Sequence, residues 1–341
     1  MAGQIFWVAE PVPAEALAVP VGWQLTVLNT EQALQQTAVP ELLIVDQQQQ
    51  TAVSELADVF QHSIRVLAVP DCQDELLLPF LNHYHLFCPQ PLRAETLNSF
   101  IAIATSLRSL PLALPSRSQL LACTHLPLLP PLVLELQQLL LDPDVNIAVL
   151  AELIEQDVVL SARLLQLANS AYMGFNQETA SLQMAISRLG LSLLYGLVLA
   201  LSVAAAHSSA TALAEIRLVN HCRQVGQWLG LEHSAMEQVV LSALFYQLGE
   251  SLLQTAQSDV SAVDAAQAGA FVLTLWGFSR DVAQLVLCQQ TLQQCRDQPQ
   301  VLCLYLARQR QPLHMPNSEL ATVLEQNGLR QHWPVIAVEK S

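Results

Sequence analysis

The chain has 341 residues, of which 52% are hydrophobic and 13% are charged, so it is long enough for two ordinary domains, each with its own core. Its 14 basic and 29 acidic residues give a net charge of -15, and its only lysine is Lys340. Such a surface repels nucleic-acid phosphates and anionic lipids. We therefore expect no nucleic-acid partner and no membrane partner.

The seven cysteines contain no CxxC pair and follow no repeating spacing. An odd, scattered set is typical of reduced thiols inside a cell, so we expect a cytoplasmic protein with no zinc site and no cofactor. The first residues, MAGQIFWVAE, lack the basic start and the long apolar region of a signal peptide, which agrees with that expectation.

The first hundred or so residues alternate between short β-prone runs and helix-like stretches. The β-prone runs are Ile5–Val8, Leu25–Leu28, Leu42–Val45, Ile64–Val69 and His85–Cys88. Val53–Phe60 and Ala94–Ser106 have the composition of helices. Strands that alternate with helices predict an α/β domain over residues 1–108, with a doubly wound, flavodoxin-like parallel sheet and functional loops at the carboxyl ends of its strands.

The predicted sheet resembles the receiver domain of two-component signalling, because PELLIVD ends in Asp46 where that family has its phosphoacceptor aspartate. The family's chemistry also needs an acidic pair that holds Mg²⁺, a hydroxyl and a lysine. Here Ala9 and Glu10 match the acidic pair, while Val69 matches the hydroxyl and Gln90 the lysine. We expect a degenerate receiver-like domain that is not phosphorylated. The alternative for Asp46 is an ordinary loop acid after a strand.

Residues 109–118, SLPLALPSRS, contain two prolines, Pro111 and Pro115, which disfavour a continuous helix and predict a linker. Helical periodicity then dominates to about residue 311, which predicts a larger all-α domain over residues 119–311. Residues 312–341 are less regular and predict one final helix, Glu319–Gln326, followed by a tail.

Local signals mark the ends of the central helices. Asp157 is placed to cap one helix, and Ser181 precedes a second helix that Gly190 follows. The next run, 191–206, has no charged residue, so it needs to be covered by protein or by lipid. A buried helix is favoured over a membrane span, because the run contains small polar residues and lacks basic or aromatic anchors at its ends.

Four motifs occur in order: LPPL (129–132), DPDVNIAVLAELIEQD (142–157), ARLLQLANSAYMG (162–174) and AISRLG (185–190). Together they resemble the HDOD family, bacterial signalling domains related to HD phosphohydrolases. The resemblance covers roughly residues 119–310 and implies an all-helical, HD-related domain.

HD hydrolases bind a metal through a His, a His-Asp pair and a later Asp, which together hold an ion that activates water. The resemblance puts His221 at the first histidine, Tyr246 and Gln247 at the pair, and Arg308 near the last aspartate. A guanidinium cannot lose its proton to bind a metal. The resemblance therefore implies no metal site and no catalytic residue, and the alternative for His221 is an ordinary helix histidine.

Three further side chains are candidates for contact with a ligand or a partner, although structural roles explain them equally well. They are Arg163, Asn169 and Tyr172.

Three functional hypotheses follow. The first is a non-enzymatic signal-transduction protein, in which a pseudo-receiver and an inactive HDOD domain act through contacts with signalling proteins and, as an open alternative, with further copies of the chain. The second is a sensor that binds a small nucleotide-type ligand in the old HD cleft. The third is a metal-dependent phosphodiesterase, which the residues at the ligand positions disfavour.

Overall fold

The structure is a computed structural model, and it describes residues 3–9, 17–46, 50–69, 80, 83–123, 131–140, 142, 144–157, 160–161, 164–165, 179, 181–205, 209–256, 263–288, 298–308 and 318–329. The chain divides into two compact units. Unit 1 comprises Met1–Leu128 and Leu248–Arg280, and unit 2 comprises Leu129–Gln247 and Asp281–Ser341.

Unit 1 contains a five-stranded, fully parallel sheet with the strand order β2-β1-β3-β4-β5. Its strands are β1 (Gly3–Ala9), β2 (Trp23–Leu28), β3 (Leu42–Asp46), β4 (Ile64–Val69) and β5 (Leu86–Pro89). The central strand β3 reads as a continuous apolar run because both faces of a parallel sheet are covered. The predicted flavodoxin-like parallel sheet is confirmed.

The remaining described elements are helical, which confirms the predicted change from an α/β region to a mostly helical one. In chain order they are α1 (Thr30–Leu34), α2 (Gln50–Val59), α3 (Ala94–Ser109), α4 (Leu114–Ala122), α5 (Pro131–Leu140), α6 (Ile147–Glu155), α7 (Leu182–Leu189), α8 (Leu191–Ala205), α9 (Ser209–Trp228), α10 (His233–Leu244), α11 (Leu248–Ala256), α12 (Ala265–Leu275), α13 (Arg280–Leu287), α14 (Pro299–Arg308) and α15 (Ser318–Gln326).

Helix α4 occupies part of the segment that the sequence predicts as a linker. Pro115 lies in the first turn of this helix, where the missing N–H of proline removes no helical hydrogen bond. Pro115 is therefore compatible with the start of a helix, and only residues 110–113, which include Pro111, separate α3 from α4.

Unit 1 also includes residues from the far part of the chain. Helices α11 and α12 pack on each other, and α12 packs on α3. At Gly249 an added side-chain carbon would collide with the carbonyl oxygen of Ala265, so the close approach of α11 and α12 requires glycine there. Residues 248–280 thus belong to the same compact unit as the sheet, although the sequence predicts them within 119–311. The predicted domain ranges stay predictions, because packing alone does not define a domain.

The helix ends of unit 2 follow their local signals. The Asp157 carboxylate accepts a hydrogen bond from the Leu160 backbone N–H at 2.9 Å. The Ser181 hydroxyl accepts one from Met184 N–H at 3.4 Å, and Gly190 ends the same helix with a φ of 78°. These caps agree with the prediction, because each depends on neighbours within three or four residues.

The uncharged helix α8 lies inside unit 2. Its residues Leu194, Val198 and Leu199 are fully buried, and α5, α7, α9 and α10 all pack on it. Within the described residues no single helix has the length and apolarity to cross a membrane, and the pair of apolar segments 182–189 and 193–199 reaches that length only across a bend of 115°.

A buried polar group joins the sheet of unit 1 to α4. The His85 ring accepts the Arg65 backbone N–H at Nδ1, 2.9 Å away, so its proton lies on Nε2, which is 3.1 Å from the carbonyl oxygen of Leu121. The buried guanidinium of Arg65 donates to the carbonyl oxygens of His83 and Gln61. Burial first, and then the charge of Arg65, hold the pKa of His85 well below its usual value.

The free energy of unfolding should therefore fall as the pH falls through about 6.5, because the His85 ring binds a proton in the unfolded chain but not in the folded chain. The loss attributable to this group approaches about 1.4 kcal/mol for each pH unit below that value. Urea unfolding of His85→Gln between pH 7.5 and 5 should show a lower stability at pH 7.5 and a shallower pH slope. An unchanged slope in His85→Gln would contradict the assignment.

Candidate functional site

The receiver-like positions lie together at the carboxyl edge of the sheet. Strand register pairs Ala9 with Asp46, and the backbone N–H of Gln90 donates to the carbonyl oxygen of Val69 at 2.9 Å. The carboxyl ends of parallel strands meet at one edge, which is why these positions converge. Glu10, the other half of the acidic pair, lies outside the described residues.

Gln90 makes the defining contact of this edge. Its side-chain amide donates to a carboxylate oxygen of Asp46 and, at 3.3 Å, to the carbonyl oxygen of Ala68. Burial raises the pKa of Asp46, and the hydrogen bond from Gln90 opposes that rise. An amide orients the carboxylate but adds no positive charge, and the buried Val69 offers no hydroxyl. The Gln90 amide holds Asp46 in place, and the described side chains at the matched positions, Val69 and Gln90, supply neither the hydroxyl nor the positive charge of the receiver pattern.

The HD-like positions lie in unit 2, where α9, α10 and α14 pack against one another. Tyr246 and Gln247 follow α10, and Arg308 ends α14. The Gln247 amide donates to the Tyr246 hydroxyl at 2.5 Å, and the guanidinium carbon of Arg308 lies 5.2 Å from the centre of the Tyr246 ring. The structure therefore brings three of the four predicted positions into one cluster, a cation over an aromatic face.

Two buried cysteines lie beside this cluster. The Cys303 thiol donates to the carbonyl oxygen of Cys222 at 3.1 Å, which joins α14 to α9. Burial first, and then the hydrogen bond and the charge of the neighbouring Cys303, raise the pKa of Cys222 well above its usual value, and the charge of Arg308 opposes this rise. A protonated thiol is a poor nucleophile and a poor metal ligand, so this pair acts in packing.

His221 precedes Cys222 on α9 and is half-buried. No hydrogen bond or ring contact within the described residues joins its imidazole to Tyr246, Gln247 or Arg308. His221 is thus not among the side chains that this hydrogen bond and this stack join.

The residues of the cluster do not fit the metal that the HD resemblance implies. A phenol hydroxyl and an amide are weak ligands for a divalent ion, and a guanidinium repels it. In the part of the chain that the structure describes, no group of three His, Cys, Asp or Glu side chains is arranged to hold a metal ion.

Other predicted positions lie outside the described residues, namely Arg163, Asn169 and Tyr172. The contacts that sequence reasoning missed are the Gln90–Asp46 hydrogen bond, the Arg308–Tyr246 stack and the Cys303–Cys222 hydrogen bond. The strand register gave a usable signal for the first of these, because β3 and β5 end at the same edge of the sheet.

Residues 126–258 match the family model described as the HDOD domain. This match, with the ordered motifs and the helical fold around α8, shows that the chain contains an HDOD domain at these residues. The domain is joined to a parallel sheet whose strand order is compatible with a receiver-like domain.

Among curated proteins, the chain is 30% identical over 141 residues to an uncharacterized protein of Treponema pallidum (strain Nichols). The match covers 40% of this chain and 27% of that protein, so the chain spans about a quarter of the length of this relative.

Two solved structures from Shewanella amazonensis SB2B are also similar. One is named "Putative metal-dependent phosphohydrolase", with 18% identity, a TM-score of 0.46 and coverage of 68% of this chain and 90% of that chain. The other is named "Putative phosphohydrolase", with 20% identity, a TM-score of 0.44 and coverage of 67% and 89%.

The Gln90 contact makes a prediction about Asp46. Gln90→Leu should raise the pKa of Asp46 further because the carboxylate loses its hydrogen bond, and Gln90→Lys should lower it because an ammonium group then faces the carboxylate. Carboxyl ¹³C NMR titration measures both changes. Gln24→Leu, at an exposed position of β2, should leave the Asp46 titration unchanged. An Asp46 pKa that does not move in Gln90→Leu would show that the two side chains are not bonded.

Proposed function

We propose that this chain is a non-enzymatic regulatory protein of bacterial signal transduction, in which a catalytically inactive HDOD domain and a pseudo-receiver domain act through protein–protein contacts. The observation that carries the proposal is the cluster of Tyr246, Gln247 and Arg308 at the positions where the resemblance to HD hydrolases expects metal ligands.

The cluster supports inactivity through its chemistry. Hydrolysis in the HD class depends on an ion that lowers the pKa of a bound water. A permanent positive charge stacked on Tyr246 opposes an ion at that place, and the amide of Gln247 is committed to the Tyr246 hydroxyl. These three side chains contact one another by a hydrogen bond and a stack, and they do not form a set of metal ligands.

The carboxyl edge of the sheet supports the same conclusion independently. Asp46 is bonded to a neutral amide, and the positions matched to the hydroxyl and to one acid are Val69 and Ala9. Phosphoryl transfer to a carboxylate needs Mg²⁺ and positive charge around the transferred group. Two separate catalytic constellations are thus incomplete in one chain.

A protein without either reaction acts by presenting surfaces. Binding that differs between two conformations, or that brings two proteins together, needs no bond to be made or broken. The signalling partner of such a chain is another protein, and the HDOD domain supplies a helical surface for it.

The experiment that tests this proposal applies two measurements to the full-length chain. We expect Mn, Fe and Zn far below one equivalent by elemental analysis, and no hydrolysis of bis(p-nitrophenyl) phosphate or cyclic dinucleotides with those metals added. In parallel, the immobilised full chain should retain a defined protein from an extract of its native cell. Full-length protein is required because residues 248–280 belong to the same compact unit as residues 1–128.

The matched control restores ligands in place of the present side chains, as Tyr246→His, Gln247→Asp and Arg308→Asp together. This triple variant should bind metal if the wild-type site lacks only the ligands. It should stay free of metal if the surrounding helices exclude an ion. Metal near one equivalent in the wild-type chain, with turnover lost on Arg308→Leu, would replace the proposal with the phosphodiesterase hypothesis. Retention of no protein would remove the contact-based mechanism.

The Arg308–Tyr246 stack also favours a second candidate, a sensor of a small nucleotide-type ligand. A guanidinium pairs with phosphate through two parallel hydrogen bonds, and an aromatic ring beside it offers a stacking face for a base. Binding of this kind needs no metal and no catalysis, and it uses residues that the first candidate leaves without a role beyond packing.

A thermal-shift screen against nucleoside monophosphates, nucleoside diphosphates and cyclic dinucleotides distinguishes the two candidates. A ligand that binds only the folded state raises the melting temperature. The sensor hypothesis expects a shift of a few degrees that Arg308→Leu abolishes and that Arg280→Leu, at an exposed position, retains. The first candidate expects no shift with any of these compounds. A shift that persists in Arg308→Leu would place the ligand elsewhere.

A further inference from the structure

Helix α4 is attached to the sheet of unit 1 by a small set of contacts. It has nine residues, which is too short for a stable helix in water, so it depends on the surface against which it packs. The buried residues of α4 are Ser116, Leu120 and Leu121. A segment that buries so few apolar side chains opens at a lower free energy than the core. Helix α4 can therefore detach while the sheet stays folded.

Two histidines beside the sheet contact α4. Nε2 of the buried His85 lies 3.1 Å from the carbonyl oxygen of Leu121, at the end of the helix. Nδ1 of the exposed His62 lies 2.8 Å from the Ser118 hydroxyl and 3.3 Å from the Ser118 carbonyl oxygen. His62 lies shortly before β4, and His85 lies immediately before β5. Both contacts thus attach α4 near the amino ends of these neighbouring strands.

The two contacts respond differently to a proton. A protonated imidazole carries an N–H on both nitrogens. At His62 such a ring still offers an Nδ1–H to the Ser118 oxygens, so that contact persists. At His85 the Nδ1 atom accepts the Arg65 backbone N–H at 2.9 Å, and a proton on Nδ1 would set two donors against each other. The folded His85 ring therefore has no acceptor for a second proton.

Positive charge adds to this conflict. Nη2 of the Arg65 guanidinium lies 3.1 Å from His85 Nε2, and the charge of Arg65 acts directly on the ring. Among the described residues no carboxylate contacts the ring to compensate. The other titratable groups of the neighbouring elements are Asp58 of α2, His83 and Tyr84 before β5, and Arg117 and Cys123 in and after α4. Asp58 acts on Arg65 and pairs with His83 at 3.8 Å, so its charge is shared with those groups.

We propose that α4 is a proton-sensitive strap, which is held against the sheet while His85 is neutral and detaches when His85 takes up a proton. The proton adds to Nδ1 as the hydrogen bond from the Arg65 N–H breaks, the ring leaves its buried position, and the Leu121 carbonyl loses its donor. Helix α4 ends just before residues 126–258, which match the HDOD domain, so its release frees the chain ahead of that domain. The detachment of α4 is independent of the proposed signalling function, because it concerns only unit 1.

The direction of the pH response follows from linkage between proton binding and detachment. The closed state disfavours the proton, because burial first, and then Arg65, hold the pKa of His85 well below its usual value. The detached state allows the ordinary pKa of about 6.5. The closed state is therefore most favoured above that pH, and the opening constant of α4 rises as the pH falls below it. Between pH 7.5 and 5.5 the expected rise is about ten-fold.

Hydrogen–deuterium exchange of the full-length chain, followed by mass spectrometry of its peptides, tests the proposal. Exchange rates corrected for the intrinsic rate at each pH give the opening constant of each segment. The opening constant of residues 114–123 should rise about ten-fold from pH 7.5 to pH 5.5. Strand β3 opens only when unit 1 unfolds, so at pH 5.5 its opening constant should be smaller than that of α4 by about ten-fold or more.

Two histidine variants locate the proton. His85→Gln should remove the rise in the opening constant of α4, because an amide does not titrate in this pH range. The matched variant His62→Gln removes the exposed contact with Ser118. It should raise the opening constant of α4 at both pH values and keep the wild-type ratio between them.

Three outcomes would overturn the proposal. They are a wild-type opening constant of α4 that is the same at both pH values, equal opening constants for α4 and β3, and a pH response that His62→Gln abolishes but His85→Gln keeps. The first two outcomes are measured on the wild-type chain, so they decide the matter whether or not His85→Gln folds.

Discussion

Helix α8 needs cover on every side, and the arrangement of unit 2 depends on this constraint. The helix has no charged residue over Leu191–Ala205, so any exposed face would place apolar area in water. Four helices surround it, namely α5, α7, α9 and α10. The cover fixes where α9 and α10 lie, and therefore where His221 and the turn after α10 are held. Helix α14 then packs on α9 and α10 and brings Arg308 to Tyr246.

The same packing keeps the side chains at the HD-like positions in place. The Cys303–Cys222 hydrogen bond joins α14 to α9, and both cysteines are fully buried. A bound ion there would need ligands that lose protons, yet the nearby Cys222 thiol has a raised pKa. Stacking and hydrogen bonds thus hold the described side chains of this part of unit 2 together.

Sequence reasoning succeeded where the deciding contact is local. Asp157, Ser181 and Gly190 act on backbone groups three or four residues away, and the β-prone runs match the strands to within one or two residues. It does not reach contacts between distant segments. Pro115 has the same local preferences in a linker and in the first turn of α4, and the contact between the His85 ring and the Leu121 carbonyl oxygen joins that helix to the sheet over 36 residues of chain. The packing of α12 on α3 likewise joins segments far apart in the chain.

The two candidate sites share one physical property, although they lie in different units. At each, a side chain that differs from the resembled family's pattern contacts a neighbouring matched position. The neutral amide of Gln90 donates to the Asp46 carboxylate, and the guanidinium of Arg308 stacks on the Tyr246 ring. A switch needs two states that differ in charge or packing. Under the proposed function, that difference arises when a partner binds the surfaces of this chain.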